Sequence, residues 1–326
     1  MRIKVLFLGQ DDNLEPWFGD VVTAAGKAHQ VVLWRADAPF GPQIRDAQVV
    51  VDQGGGVGTR AMVDAAADAG VKLWQVLGTG LDHVDVQYIL ERGLALANTP
   101  GQFSSVALAE HALFLMLYFA KNFPSTQRNV RAGTFYRPMN DELEGATLGL
   151  IGLGASAREL ARRACAFGMR LLGIDVQPPT AEVLDAFGIR YLGGPDSLDS
   201  LLGQSDYVSV HVPLTRRTRH MLDARALAMM KPGGILINVA RGGIVDQAAL
   251  VDALQRRSLR GAGLDVFAVE PLEADSPLLE LDNVVLTPHV AGVTTGTSRR
   301  RAAAVADNVR RTAAGLPPLY AVTGAE

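Results

Sequence analysis

The sequence predicts an α/β fold of two parallel-sheet domains, and three observations lead there. Short, almost purely apolar segments alternate with helix-like segments along most of the chain, the pattern of strands covered by helices on both faces. The 326 residues are about twice the ~150 of a typical domain, and 48% of them are hydrophobic, enough to fill two cores. A glycine-rich turn, Gly152-Leu153-Gly154-Ala155-Ser156-Ala157, joins an apolar strand to a helix, the context that a dinucleotide-binding fold needs.

The elements follow in order. In the first third, IKVLFLG, HQVVLW, AQVVVD and VKLWQVLG read as strands, with helices before Gly26 and over 59–69. A further helix over 86–91 leads through Gly93 to the strand LALAN, and Pro100-Gly101 marks a turn. A long helix over 104–121 then leaves this unit. After an irregular stretch over 131–144, TLGLIG, RLLGID, DYVSVHV, GGILINVA, GAGLDVF and NVVLTPH read as a second strand series, with helices over 157–167, 223–230 and 246–255. An alanine-rich helix over 299–314 follows, and its periodicity does not assign it to either domain. The run Gly54-Gly55-Gly56-Val57-Gly58 suits a ligand-facing loop, because glycine lets backbone approach a ligand closely, but it suits an ordinary turn as well.

Composition narrows the function classes. A net charge of −3 gives no general attraction to nucleic acid. Cys165 is the single cysteine; it rules out an intramolecular disulfide or a multi-cysteine zinc site and suits a reducing compartment. Its place on the helix after the glycine turn suggests packing. The opening MRIKVLFLGQDD has too brief an apolar run for an export signal. The segment VALAEHALFLMLYFA is interrupted by Glu110 and His111 and is shorter than the ~20 residues of a membrane span. A cytoplasmic protein with no membrane or nucleic-acid partner is therefore expected. His83, His211 and His220 have no metal-ligand spacing, and no metal is expected. His111, within an apolar helix, reads as a structural histidine with its hydrogen bonds satisfied.

The glycine turn is the strongest local motif. Gly152 supplies the tight turn, Gly154 removes the side chain where a pyrophosphate approaches, and Ala157 is small enough for close helix packing. Backbone N–H groups at the helix start, with Ala155 and Ser156, face the phosphates. Asp175 lies 21 residues beyond Gly154 at the end of the next strand, where a carboxylate accepts hydrogen bonds from the ribose and repels the 2′-phosphate of NADP. NAD/NADH is the expected cofactor. Farther along, Arg241, Glu270 and His289 each follow an apolar strand, toward the edge where open α/β sheets bind ligands.

Seven motifs together resemble the D-isomer-specific 2-hydroxyacid dehydrogenase family, which includes glyoxylate or hydroxypyruvate reductases and D-3-phosphoglycerate dehydrogenases. They are GTGLDHVD (78–85), NTPGQFSSVALAEHAL (98–113), GLGASA (152–157), HVPLTRRT (211–218), NVARGGIVD (238–246), LDVFAVEP (264–271) and TPHVAG (287–292). The resemblance implies two Rossmann-like domains with an active-site cleft: a discontinuous, flavodoxin-like substrate domain of residues 1–103 and 291–326, and an NAD-binding domain of residues 104–290. It implies reduction of a small 2-oxo acid to a D-2-hydroxy acid and the reverse oxidation, in a homodimer assembled largely through the cofactor domain. By the same resemblance Arg241 clamps the substrate carboxylate, His289 transfers the proton and Glu270 is its partner. Gly78, Thr79 and Gly80 contribute backbone contacts to the carboxylate, Val212 and Pro213 line the cofactor, and Asp265 contacts the nicotinamide carboxamide. Ser156 stands where many members carry an apolar residue. A phosphite dehydrogenase-like activity and a dinucleotide-responsive, corepressor-like scaffold are the alternatives, since a shared fold does not fix function.

Overall fold

A computed structural model describes residues 1–9, 14–54 and 58–324. The ligand-loop expectation for Gly55, Gly56 and Val57 lies outside the described residues. The chain divides into two compact units, Met1–Phe103 with Thr294–Glu326, and Ser104–Val293. The first begins with β1 (Lys4–Leu8), α1 (Trp17–Ala25), β2 (Gln30–Leu33), α2 (Phe40–Ile44), β3 (Ala47–Asp52), α3 (Arg60–Asp68), β4 (Leu73–Val76), α4 (Val86–Glu91) and β5 (Ala95–Ala97). The second contains α5 (Ser105–Ala120), α6 (Phe123–Arg131), β6 (Thr147–Ile151), α7 (Ala155–Ala166), β7 (Arg170–Ile174), α8 (Ala181–Phe187) and β8 (Ile189–Gly193). It continues through α9 (Leu198–Gln204), β9 (Tyr207–Val210), α10 (Ala224–Ala228), β10 (Ile235–Asn238), α11 (Gln247–Gln255), β11 (Gly261–Leu264) and β12 (Val284–Leu286). The chain then returns to the first unit as α12 (Thr295–Ala313) and β13 (Ala321–Val322).

In the first unit the strand order is β13-β5-β4-β3-β1-β2. Its five leading strands are parallel in the 2-1-3-4-5 order of flavodoxin-like sheets. The expectation of a purely parallel sheet is corrected at one edge, where β13 pairs antiparallel with β5. A two-residue strand is too short to carry a periodic signal. The second sheet runs β12-β11-β10-β9-β6-β7-β8, which counted from β6 is the doubly wound order 3-2-1-4-5-6 with a seventh strand added. All its pairings are parallel.

The apolar pattern finds the buried elements and misses the weakly buried ones. α6 reads FPSTQRNVR and buries no residue, while the edge strand β8 buries only Ile189 fully; neither shows a clear apolar repeat. α5 is apolar on nearly every side, and Ala109, Ala112, Leu115, Met116, Phe119 and Ala120 enter the core with Leu148, Leu150 and Ile237. Burying one such leucine or methionine is worth roughly 1.5–3 kcal/mol. Gly263 of β11 admits this helix, since a Cβ there would lie 3.0 Å from Leu115 Cβ. Thr294 caps α12 by accepting the Thr297 N–H at 3.1 Å, so the helix starts earlier than its alanine-rich segment suggests. Ala302, Val305 and Val309 of α12 pack with Val5, Phe7 and Val21 in the first unit.

Cys165 departs from its expected packing role: it is exposed. The buried stripe of α7 is Ala157, Leu160, Ala161 and Ala164, and one further residue of helical rotation carries Cys165 off that stripe. No helix among the described residues is long and apolar enough to cross a membrane.

Candidate active site

The glycine turn lies where the second sheet reverses its strand order, between β6 and β9. Gly152 has φ +88°, and a Cβ there would approach the His211 carbonyl oxygen to 2.8 Å and a Val212 methyl to 2.8 Å. Only glycine fits this turn without strain. At Gly154 an added Cβ would meet nothing within 4 Å, and no side chain caps α7. No side chain thus stands on Gly154 or caps the first amides of this twelve-residue helix, an arrangement that fits an anion such as a pyrophosphate. Ala157 is fully buried behind it. The Asp175 carboxylate accepts the Leu153 N–H at 2.6 Å and the Gln177 N–H at 3.1 Å, which ties the acidic strand end to the turn and leaves further lone pairs on both oxygens.

The Ser156 hydroxyl is engaged within the unit. It is 2.9 Å from His211 Nδ1, and Ser209 Oγ is 2.9 Å from His211 Nε2. Burial pushes the His211 imidazole down to about 4, so it is neutral and uses one ring nitrogen as donor and the other as acceptor. This bond joins the start of α7 to the Val212-Pro213 segment. Sequence reasoning misses it, because 55 residues separate the partners.

Arg241, Glu270 and His289 leave the carboxyl ends of β10, β11 and β12, which are adjacent in the sheet. Asn238, 1% exposed, donates to the Arg241 carbonyl at 2.9 Å and accepts the Ala240 N–H at 3.1 Å. Gly242 runs hard against the 267–268 backbone, where an added Cβ would sit 1.9 Å from the Phe267 carbonyl. The segment after Arg241 is thereby pressed onto the segment that leads to Glu270. Glu270 Oε1 accepts the Phe267 N–H at 2.9 Å, and Oε2 lies 2.7 Å from His289 Nδ1. Burial pushes the Glu270 carboxyl upward, but the His289 and Phe267 hydrogen bonds and the charges of His289 and Arg241 outweigh it and hold the group below its ordinary value. With Nδ1 committed to Glu270, Nε2 of the half-exposed His289 ring has no hydrogen-bond partner among the described residues.

Asp265 anchors the histidine turn from within. Its carboxylate, 1% exposed, accepts from Thr287 Oγ1 at 2.6 Å, Val290 N–H at 2.9 Å and Ala291 N–H at 2.8 Å. Its carbonyl accepts the His289 N–H at 2.8 Å. His111 on α5 has its Nε2 2.9 Å from Thr287 Oγ1. In the first unit, Thr79 Oγ1 donates to the Thr99 carbonyl at 3.0 Å and Asn98 Nδ2 to the Thr79 carbonyl at 2.8 Å. Both bonds fix the loop backbone, and none of the Gly78, Thr79 and Gly80 N–H groups donates to another described residue. Among the described residues no group of three His, Cys, Asp or Glu is arranged to hold a metal.

With this geometry in hand the comparisons with known proteins are specific. The sequence profile of the D-isomer specific 2-hydroxyacid dehydrogenase NAD binding domain matches residues 113–291. A D-3-phosphoglycerate dehydrogenase from Methanocaldococcus jannaschii is 36% identical over 299 residues, 91% of this chain, and the chain spans 54% of that protein's length. An (S)-sulfolactate dehydrogenase from Chromohalobacter salexigens is 43% identical over 237 residues, covering 72% of this chain and 75% of the relative. Among solved structures, D-lactate dehydrogenase from Aquifex aeolicus, complexed with NAD and lactic acid, superposes with a TM-score of 0.81 at 29% identity, over 99% of this chain and 100% of that one. The chain belongs to the D-isomer-specific 2-hydroxyacid dehydrogenase family and carries that family's NAD-binding domain.

Proposed function

We propose that the chain reduces a small 2-oxo acid to the D-2-hydroxy acid with NADH and catalyses the reverse oxidation with NAD. The observation that carries this reading is the Glu270–His289 pair, with Nδ1 held at 2.7 Å and Nε2 left for a ligand. When bound, the nicotinamide ring supplies or accepts the hydride. His289 Nε2 donates a proton to the substrate oxygen as negative charge develops there, and takes the hydroxyl proton in the oxidation direction. Glu270 accepts from His289 Nδ1 and so fixes the ring. Arg241 pairs with the substrate carboxylate, for which a planar guanidinium offers two parallel donors. The unpaired N–H groups of Gly78, Thr79 and Gly80 are the proposed backbone donors to a carboxylate in the first unit.

The proposed cofactor preference is NAD, because the Asp175 carboxylate at the end of β7 accepts ribose hydroxyls and repels a 2′-phosphate. Self-association as a homodimer is supported by exposed apolar side chains on and after α5 and α6, including Phe114, Phe123, Val130, Phe135 and Met139. A cytoplasmic location accords with the single cysteine.

The test is a panel of glyoxylate, hydroxypyruvate, pyruvate and bulkier 2-oxo acids with NADH, followed by His289→Ala on the best substrate. The variant is expected to lose about 10² to 10⁴ in turnover while NADH affinity stays within about twofold, since the imidazole acts away from the pyrophosphate turn. Full turnover by His289→Ala, or oxidation of phosphite with no turnover of any 2-oxo acid, would overturn the reading.

A further inference from the structure

We propose that His111 is a positioning residue for His289, acting through Thr287 and Asp265; this rests on the role proposed for His289. The chain of contacts has a fixed direction. Thr287 has one hydroxyl proton, and the Asp265 carboxylate 2.6 Å away, both of whose oxygens accept backbone N–H groups from Val290 and Ala291, accepts it. The proton therefore points at Asp265, and Thr287 Oγ1 can only accept from His111 across their 2.9 Å contact. His111 Nε2 carries the hydrogen. Burial lowers the proton affinity of His111, with the Asp265 charge in opposition; neutral or protonated, the ring can carry the Nε2 hydrogen. The result is one directed series, from His111 Nε2–H to Thr287 O–H to Asp265.

What the series holds is the backbone that carries His289. That residue has φ +55°, a left-handed conformation that a bulky side chain rarely adopts and that persists only where neighbours enforce it. The enforcement is visible on both sides. Before His289, Thr287 is bound to Asp265 Oδ1; after it, Val290 and Ala291 donate to Oδ1 and Oδ2. Asp265 alone would clamp the turn to its own strand end. His111 adds a tie to α5, whose Ala109, Ala112, Leu115 and Met116 are wholly buried, so the turn is referred to a rigid core helix. Removing the His111 donor leaves the Thr287 hydroxyl bound on one side only.

The experiment compares His111→Leu, His111→Gln, Thr287→Val and the His111→Leu/Thr287→Val double variant. Steady-state kinetics on the best 2-oxo acid are combined with amide hydrogen exchange at Val290 and Ala291. Loss of one such hydrogen bond is worth about a five- to tenfold change. His111→Leu is expected to lower kcat by that factor with both KM values within about twofold, and to speed exchange at the two amides. His111→Gln, which can place an N–H near the Nε2 position, is expected to retain most of kcat. The double variant should be no slower than the slower single variant, because both substitutions cut one series. A merely structural role predicts that Leu and Gln fall together, or that the two substitutions add; either result, or unchanged exchange in His111→Leu, overturns the proposal. If His111→Leu does not fold, His111→Gln and Thr287→Val decide: a fast Gln variant beside a slow Val variant supports the series, and any other pairing overturns it. If the wild type turns over no 2-oxo acid, the proposed function fails by itself, and exchange at Val290 and Ala291 still decides whether His111 holds this turn.

Discussion

Each unit reverses its strand order once, the first between β1 and β3 and the second between β6 and β9, and the two reversals are finished in opposite ways. In the second, Gly154 puts no side chain before the start of α7, and no side chain caps its amides. In the first, Asp52 ends β3 with a carboxylate only 2% exposed, which accepts the Gly54 N–H at 2.9 Å and the Trp74 Nε1–H at 3.3 Å. Trp74 and Asp52 also press on Gly58, where an added Cβ would lie 2.6 Å and 2.8 Å from them. A doubly wound sheet supplies a crevice at such a point. Whether the crevice offers donors to an anion depends on the residues that end its strands: among the described residues, the second unit presents helix-start N–H groups with no side-chain cap, and the first turns a carboxylate inward and satisfies it from its own chain.

Apart from the loss of turnover in His289→Ala, the largest effect that sharpens this contrast comes from Gly152→Ala. A methyl group against the His211 carbonyl, at φ +88°, costs about 1–3 kcal/mol. NADH affinity, followed by nicotinamide fluorescence, should weaken by about ten- to a hundredfold, and unchanged affinity would show that the turn is not the cofactor site. Next in size is the NAD preference. Equilibrium titrations at fixed salt should find NADH bound at least about tenfold more tightly than NADPH, and equal or tighter binding of NADPH would reject the role given to Asp175.

A smaller effect tests the closed reversal. Burial raises the Asp52 carboxyl above its ordinary value, against the Gly54 hydrogen bond, the His83 charge and the Trp74 hydrogen bond. Between the unfolded pKa of 3.8 and the higher folded value, the unfolded chain has released a proton that the folded chain keeps, so stability falls as pH rises through this window. Asp52→Asn should flatten that decline in urea unfolding followed against pH and leave NADH affinity unaltered. A lower NADH affinity in this variant would break the contrast between the two reversals. The smallest effect is expected for Cys165→Ser: an exposed position on α7 should change stability by no more than about 0.5 kcal/mol in thermal unfolding, and a larger loss would restore the packing role that its sequence context suggests.

Much of the candidate site is legible because its chemistry sits at strand ends. Arg241, Glu270 and His289 follow three apolar segments, and the family resemblance of their motifs proposes a carboxylate clamp and a proton-transfer pair before any distance is known. The Asp265 clamp is less legible. An aspartate in LDVFAVEP reads as a ligand contact, and its sequence gives no sign that its carboxylate also accepts from Thr287, Val290 and Ala291. The same holds for Ser156 and His211, and for His111 and Thr287, which lie 176 residues apart. Each of these bonds exists because parallel strands set different loops at one sheet edge, and no local pattern encodes which loops become neighbours.

The sequence by itself determined the alternation of buried strands and helices, the glycine turn with its acidic strand end, and the residue types of the trio proposed for catalysis, because each depends on composition and spacing within a few turns or one strand. The tertiary structure decided the two strand orders, the return of α12 and β13 to the first unit, the exposure of Cys165 and the left-handed backbone of His289. Those features depend on which distant segments share a sheet edge or a core, and that is settled by the burial of apolar area and the pairing of buried polar groups over the whole molecule.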